Sequence, residues 1–95
     1  GGIYYDIECC PVNEYFSNGM GRYVQKDSKI YINSNLNDDL QFKTLIHELL
    51  HAVVAEYKVF DSSISAEFEE DTVDRLTTGV YDILCEMLGR LDLFC

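Results

Sequence analysis

Basic residues are scarce in this chain: 7 lysines and arginines stand against 17 aspartates and glutamates, a formal net charge of -10. A surface of that sign repels a phosphate backbone and an anionic lipid surface at long range, so neither nucleic acid nor a membrane is an expected partner. Proline occurs once, as Pro11, and no stretch reaches the ~18 uncharged apolar residues that a membrane span requires. The four cysteines include no CxxC pair. The opening residues carry no basic-then-apolar signal pattern, so the thiols are expected to be reduced and the compartment cytoplasmic. Cys9 and Cys10 are adjacent, and neighbours on a strand point to opposite faces, which disfavours them as a joint metal pair. Gly1-Gly2 reads as a cut boundary and is left out of the fold reasoning.

What the chain does have is a globular composition. Its residues are 47% hydrophobic and 13% aromatic, which excludes a disordered or low-complexity chain. At 95 residues it can bury one core and not two, so residues 1–95 are expected to form a single domain.

Residues 3–10, Ile-Tyr-Tyr-Asp-Ile-Glu-Cys-Cys, are rich in β-branched and aromatic types with a partial period of two, and predict a strand that Pro11 ends. After a turn-rich stretch, residues 22–25 and 29–33 flank the polar turn Lys26-Asp27-Ser28 and predict a hairpin. In its second strand Ile30 and Ile32 alternate with Tyr31, so one side is expected to face the core and the other to be wetter. A cluster of Asn, Ser and Asp precedes a helix expected over 38–57, where Leu45, Ile46, Leu49, Leu50, Val53 and Val54 recur at helical spacing. Residues 58–65 predict a loop in which Ser63 or Ser65 caps a last helix over 66–93, with Val73, Leu76, Val80, Leu84, Met87 and Leu91 on one stripe. Gly79 interrupts that helix at a cost of ~1 kcal/mol relative to alanine, which suggests close approach to a neighbouring helix.

The chemistry is concentrated in His47-Glu48-Leu49-Leu50-His51, which holds both histidines of the chain. Random placement would set two histidines four apart in about two per cent of arrangements, and the intervening Glu makes chance poorer still. On a helix, residues i and i+4 lie one above the other, so both imidazoles can reach one ion at ~2.0–2.1 Å. Glu48 is turned about 100° from His47, beside rather than within the ligand set, where a general base belongs. Between Leu45 and Ala55 the only polar residues are these three, so unliganded imidazoles would be desolvated without partners. Two histidines and a water leave a tetrahedral ion one protein ligand short. On the last helix Glu69 falls inside the apolar arc and Glu70 at its edge, whereas Glu67 and Asp71 point away. Inward carboxylates in an apolar stripe conflict with simple patterning, as functional sites do. Glu69 and Glu70 both stand as candidates.

The strand Lys29-Ile-Tyr-Ile-Asn33, the helix segment Thr44-Leu-Ile-His-Glu-Leu-Leu-His-Ala52 and the run Glu69-Glu-Asp-Thr-Val-Asp74 together resemble the ImmA/IrrE-like metallopeptidases, especially their small phage-borne versions. The likeness spans about residues 20–84. It implies zinc held by His47, His51 and Glu70, Glu48 as the general base, and Asp74 at a position where the family usually carries Asn. The short loop between the helices is a second departure from the family pattern.

The resemblance implies an α+β, zincin-like fold, with a small N-terminal antiparallel β-sheet packed on two long helices, the first carrying HExxH. It also implies a zinc-dependent endopeptidase acting on a protein or peptide substrate, with residues 29–33 as an exposed edge that holds the substrate by backbone pairing. Tyr81 and Tyr57 are the candidate oxyanion donors. The competing expectations are a zinc-binding interaction module without turnover and a metal-free helical interaction protein.

Overall fold

The computed structural model describes residues 5–11 and 19–90, and these form a three-stranded sheet and two antiparallel-running long helices joined by a short turn. Strand β1 (Asp6–Cys10) ends at Pro11, and strands β2 (Gly21–Val24) and β3 (Lys29–Asn33) form the expected hairpin. Its turn is a 3-10 segment, Gln25–Asp27, closed by Ser28 in the left-handed region at φ 48°. Residues 3 and 4, expected in the first strand, and Asn13, Ser17 and Asn18, expected in a turn, lie outside the described residues.

The sheet is mixed rather than antiparallel. β2 pairs antiparallel with β3, but β1 pairs parallel with it, in the order β1-β3-β2. β2 and β3 flank the hairpin turn and so run in opposite directions, while β1, on the other side of β3, runs the same way as β3 and forms a parallel ladder with it. Consequently β3 is the central strand and not an edge. Its Ile30, Ile32 and also Tyr31 are buried, the last only 4% exposed against an expectation of a wetter side. The edge strand beside the helices is β2.

Helix α1 (Asp38–Glu56) starts where Asn37 caps it, its Oδ1 accepting from the Leu40 N–H at 2.8 Å, with Asp38 and Asp39 at the positive end of the dipole. It presents Ile46, Glu48 and Ala52 to the interior, while Val53, expected in the core stripe, is 44% exposed. Helix α2 (Ala66–Arg90) is capped by Ser65, whose Oγ accepts from the Phe68 N–H at 3.1 Å. Its buried line runs through Val73 and Thr77, whereas Leu76 and Met87 are about half exposed, at 47% and 54%. The helix is therefore rotated toward Thr77 relative to its apolar stripe. The same rotation brings the acidic residues of its first turns over α1. Leu91, the last residue of the expected stripe, lies outside the described residues. Among the described residues no helix is long and apolar enough to cross a membrane.

Among the described residues glycine has a steric role at Gly21 and not at Gly79. A Cβ on Gly79 would meet nothing within 4 Å, which removes the expected close helix approach. At Gly21 a Cβ would stand 2.6 Å from the Thr44 Cγ2 and 2.8 Å from the Tyr31 carbonyl oxygen. Glycine there lets β2 lie directly against α1. Gly79→Ala should therefore stabilise the protein, by up to about 1 kcal/mol. Urea unfolding measures this, and a loss of stability would mean that α2 packs more tightly at Gly79 than described.

Candidate metal centre

One turn of α1 places His47 and His51 on the same side, with their rings edge to face at 4.8 Å between centroids. Their Nε2 atoms face each other at 3.2 Å. The Glu70 carboxylate of α2 straddles the pair, with Oε1 3.0 Å from the His47 Nε2 and Oε2 3.0 Å from the His51 Nε2. Three donors bonded at 2.0–2.1 Å to one tetrahedral ion stand about 3.3–3.4 Å apart, from bond length and angle. The two nitrogens stand at 3.2 Å and each is 3.0 Å from its own Glu70 oxygen, and one ligand atom from each of the three residues lies within 4.8 Å of the others, so the group could hold a metal ion.

The opposite ring nitrogens are held from outside. The His47 Nδ1 lies 3.2 Å from the Asp74 Oδ1, with the Thr77 hydroxyl at 3.5 Å, and the His51 Nδ1 lies 3.0 Å from the Glu69 Oε2. Nδ1–H donating to a carboxylate selects the tautomer that leaves Nε2 free for a metal and fixes the plane of the ring. Of the two acids that patterning brings inward, Glu70 thus meets both histidines and Glu69 backs one of them. Asp74 backs the other, and its spacing one turn after Glu70 is the signal for it in the sequence. Asp71 points away and pairs with Arg75 at 3.2 Å.

Glu48 is buried, at 7% exposed, and faces the cleft beside His47 and Glu70. Burial raises its carboxyl above the ordinary carboxylate range, against the opposing pull of His47 and His51, and the Tyr23 N–H of β2 donates to it. Two cavities meet at this point. One, of about 370 Å³, lies toward the start of β2 and includes Met20, Leu40, Lys43 and Thr78. The other, of about 540 Å³, lies toward its end and includes Arg22, Tyr23, Gln25 and Ala55. Gly21, His47, Glu48 and Glu70 border both and His51 borders the second alone, so the ligand candidates lie along a cleft that follows β2.

Neither expected oxyanion donor borders either cavity. Tyr81 donates its hydroxyl to Asp39, and Tyr57 is exposed at the end of α1. Tyr23, which the sequence did not single out, borders the second cavity and donates to the Glu56 Oε1 at 3.1 Å. Burial raises its phenol above the usual value, so it remains a donor. Its only signal in the sequence is the alternation of β2, too short to show which side faces the helix.

Comparison with known proteins finds no matching family model, no similar curated protein and no similar solved structure. The likeness to ImmA/IrrE-like metallopeptidases therefore rests on the motif residues alone.

Two outcomes are expected. Asp74→Ala and Glu69→Ala should each weaken zinc binding about 10- to 100-fold in competition titrations, with Asp71→Ala as the unchanged control; equal affinities would mean that the two carboxylates do not orient the rings. In the metal-free protein, a raised folded-state pKa means that Glu48 favours folding only while protonated. That contribution is present below the ordinary carboxylate pKa and lost as pH rises through the raised one. Glu48→Gln should accordingly melt at a higher temperature than the parent at neutral pH, the difference closing on acidification; a gap that widens in acid would contradict the burial account.

Proposed function

We propose that this chain is a zinc-dependent metallopeptidase of zincin type, hydrolysing a peptide bond of a protein or peptide substrate in a reducing, cytoplasmic setting. The observation that carries the reading is the convergence of the His47 Nε2, the His51 Nε2 and the Glu70 carboxylate at 3.0–3.2 Å, in a cleft along β2 and next to a buried Glu48. A zinc ion held there would supply the Lewis acidity that lets a water give up its proton near neutral pH.

The chain's own residues then divide the work. Glu48 accepts the proton of the attacking water and delivers it to the departing amine, and a carboxyl lifted above its usual pKa is the stronger base for this. Asp74 and Glu69 keep both rings in the liganding tautomer. β2 lines the cleft over its length, and Gly21 leaves room for an extended main chain to pass close to the ligands. Cys9, Cys10 and Cys85 are thiols, which is consistent with a reducing compartment.

A second reading, a zinc-binding interaction module without turnover, draws on the exposed Tyr57, Val59, Ile64 and Phe68 around the turn between the helices. Glu48→Gln separates the two. Under the peptidase reading, zinc affinity and folding persist while cleavage of an unstructured protein such as casein falls at least about 10²-fold, the lower range of general-base effects. Cleavage at the parental rate would remove Glu48 from the reaction, and zinc binding without any cleavage by the parent would favour the module.

A further inference from the structure

Main-chain bonds to β3 hold only one side of β2. The Met20 carbonyl accepts from the Asn33 N–H at 2.8 Å, and two residues on Arg22 stands opposite Tyr31. Bonded pairs alternate along an antiparallel ladder, so Gly21 and Tyr23 turn their N–H and C=O groups away from β3 and toward the cleft. What those outward groups meet depends on how β2 sits against α1.

Tyr23 is fastened to α1 at two places. Its N–H donates to the Glu48 carboxylate, and its hydroxyl donates to the Glu56 Oε1 at 3.1 Å. The two acids are two turns apart, about 12 Å along one face of the helix, with the buried Ala52 between them. The ring also packs edge to face on Tyr5, at 5.7 Å between centroids, which ties it to the chain leading into β1. A phenol held at both its hydroxyl and its ring resists sliding along the helix, and the N–H of the same residue is fixed with it. The missing side chain of Gly21 lets β2 come close to α1; the clasp at Tyr23 sets where along α1 the strand stops.

Resting on the peptidase reading, we propose that Tyr23 is a positioning residue of the reaction: the bond from its hydroxyl to Glu56 sets the place of β2 on α1, and its N–H thereby fixes the direction of the Glu48 carboxylate. With one oxygen accepting that N–H, the carboxylate keeps its second oxygen for the water. Glu56, two turns beyond the HExxH base, belongs to the same device. Neither Tyr23 nor Glu56 touches the reacting atoms.

The test uses the zinc-loaded full chain. Tyr23→Phe deletes the hydroxyl and keeps the ring; it should lower kcat on casein about 10- to 100-fold, the scale of a misplacement of an ångström or less, with KM and zinc affinity as in the parent. Glu56→Ala should do the same, and Glu56→Gln, which keeps an acceptor oxygen, should recover most of that loss. The double variant Tyr23→Phe/Glu56→Ala should be no slower than either single one, because both remove one bond. In a Glu48→Gln background Tyr23→Phe should leave the residual rate unchanged, since no base remains to be aimed. A parental kcat in Tyr23→Phe, or the same loss with Glu48 already replaced, overturns the proposal. Amide hydrogen exchange reads the clasp without turnover: Tyr23→Phe and Glu56→Ala should each speed exchange at residue 23 about 3- to 10-fold, the worth of one hydrogen bond, while the Tyr31 amide keeps its protection. Unchanged exchange at residue 23 overturns it as well. The two readings fail separately: faster exchange at residue 23 with no casein cleaved by the parent keeps the clasp and removes hydrolysis, whereas cleavage by Tyr23→Phe at the parental rate keeps hydrolysis and removes the positioning role.

Discussion

The contact between two imidazoles of α1 and the carboxylates of α2 ties the two helices together. Glu70 spans both Nε2 atoms while Asp74 and Glu69 hold the two Nδ1 atoms, so each ring is gripped at both ends by the opposite helix. With the buried Glu48, four acidic side chains crowd around two rings. In a chain of net charge -10, that grouping concentrates like charge, which a cation at the meeting point of the Nε2 atoms would offset.

The sheet serves that centre by what it leaves out. β3 carries the buried Ile30, Tyr31 and Ile32 and forms the middle of the sheet, which frees β2 to become the edge along the cleft. Because Gly21 has no side chain, β2 comes close enough for its Tyr23 N–H to reach the Glu48 carboxylate. Glu48 is thus held by backbone from one side and lies beside the histidines on the other. Its position depends on a glycine far from it in sequence as much as on its own helix.

Much of this was legible in the sequence, and the exceptions have physical causes. The caps at Asn37 and Ser65 mark the starts of α1 and α2, because local hydrogen-bonding chemistry sets a helix start. The spacing of His47, Glu48 and His51 identifies the centre, since a helical turn is a fixed geometry. Strand order is different in kind: it depends on pairings between distant segments, and alternation within a strand does not tell a central strand such as β3 from an edge. The rotation of α2 was missed for a related reason. Hydrophobic periodicity finds a stripe, but Leu76 and Met87 belong to it and remain half exposed, because the ion pairs at Glu69, Glu70 and Asp74 set how the helix turns. Gly79, read as a packing contact, stands in open space.

Zinc-edge X-ray absorption on the zinc-loaded protein tests the central claim most directly. The account predicts a single bound ion with two imidazole nitrogens and carboxylate oxygen among light ligands at ~2.0–2.2 Å, with the imidazole scattering halved by His51→Ala and one oxygen altered by Glu70→Gln. A spectrum dominated by sulfur at ~2.3 Å, or one indifferent to both substitutions, would place the metal elsewhere and contradict it.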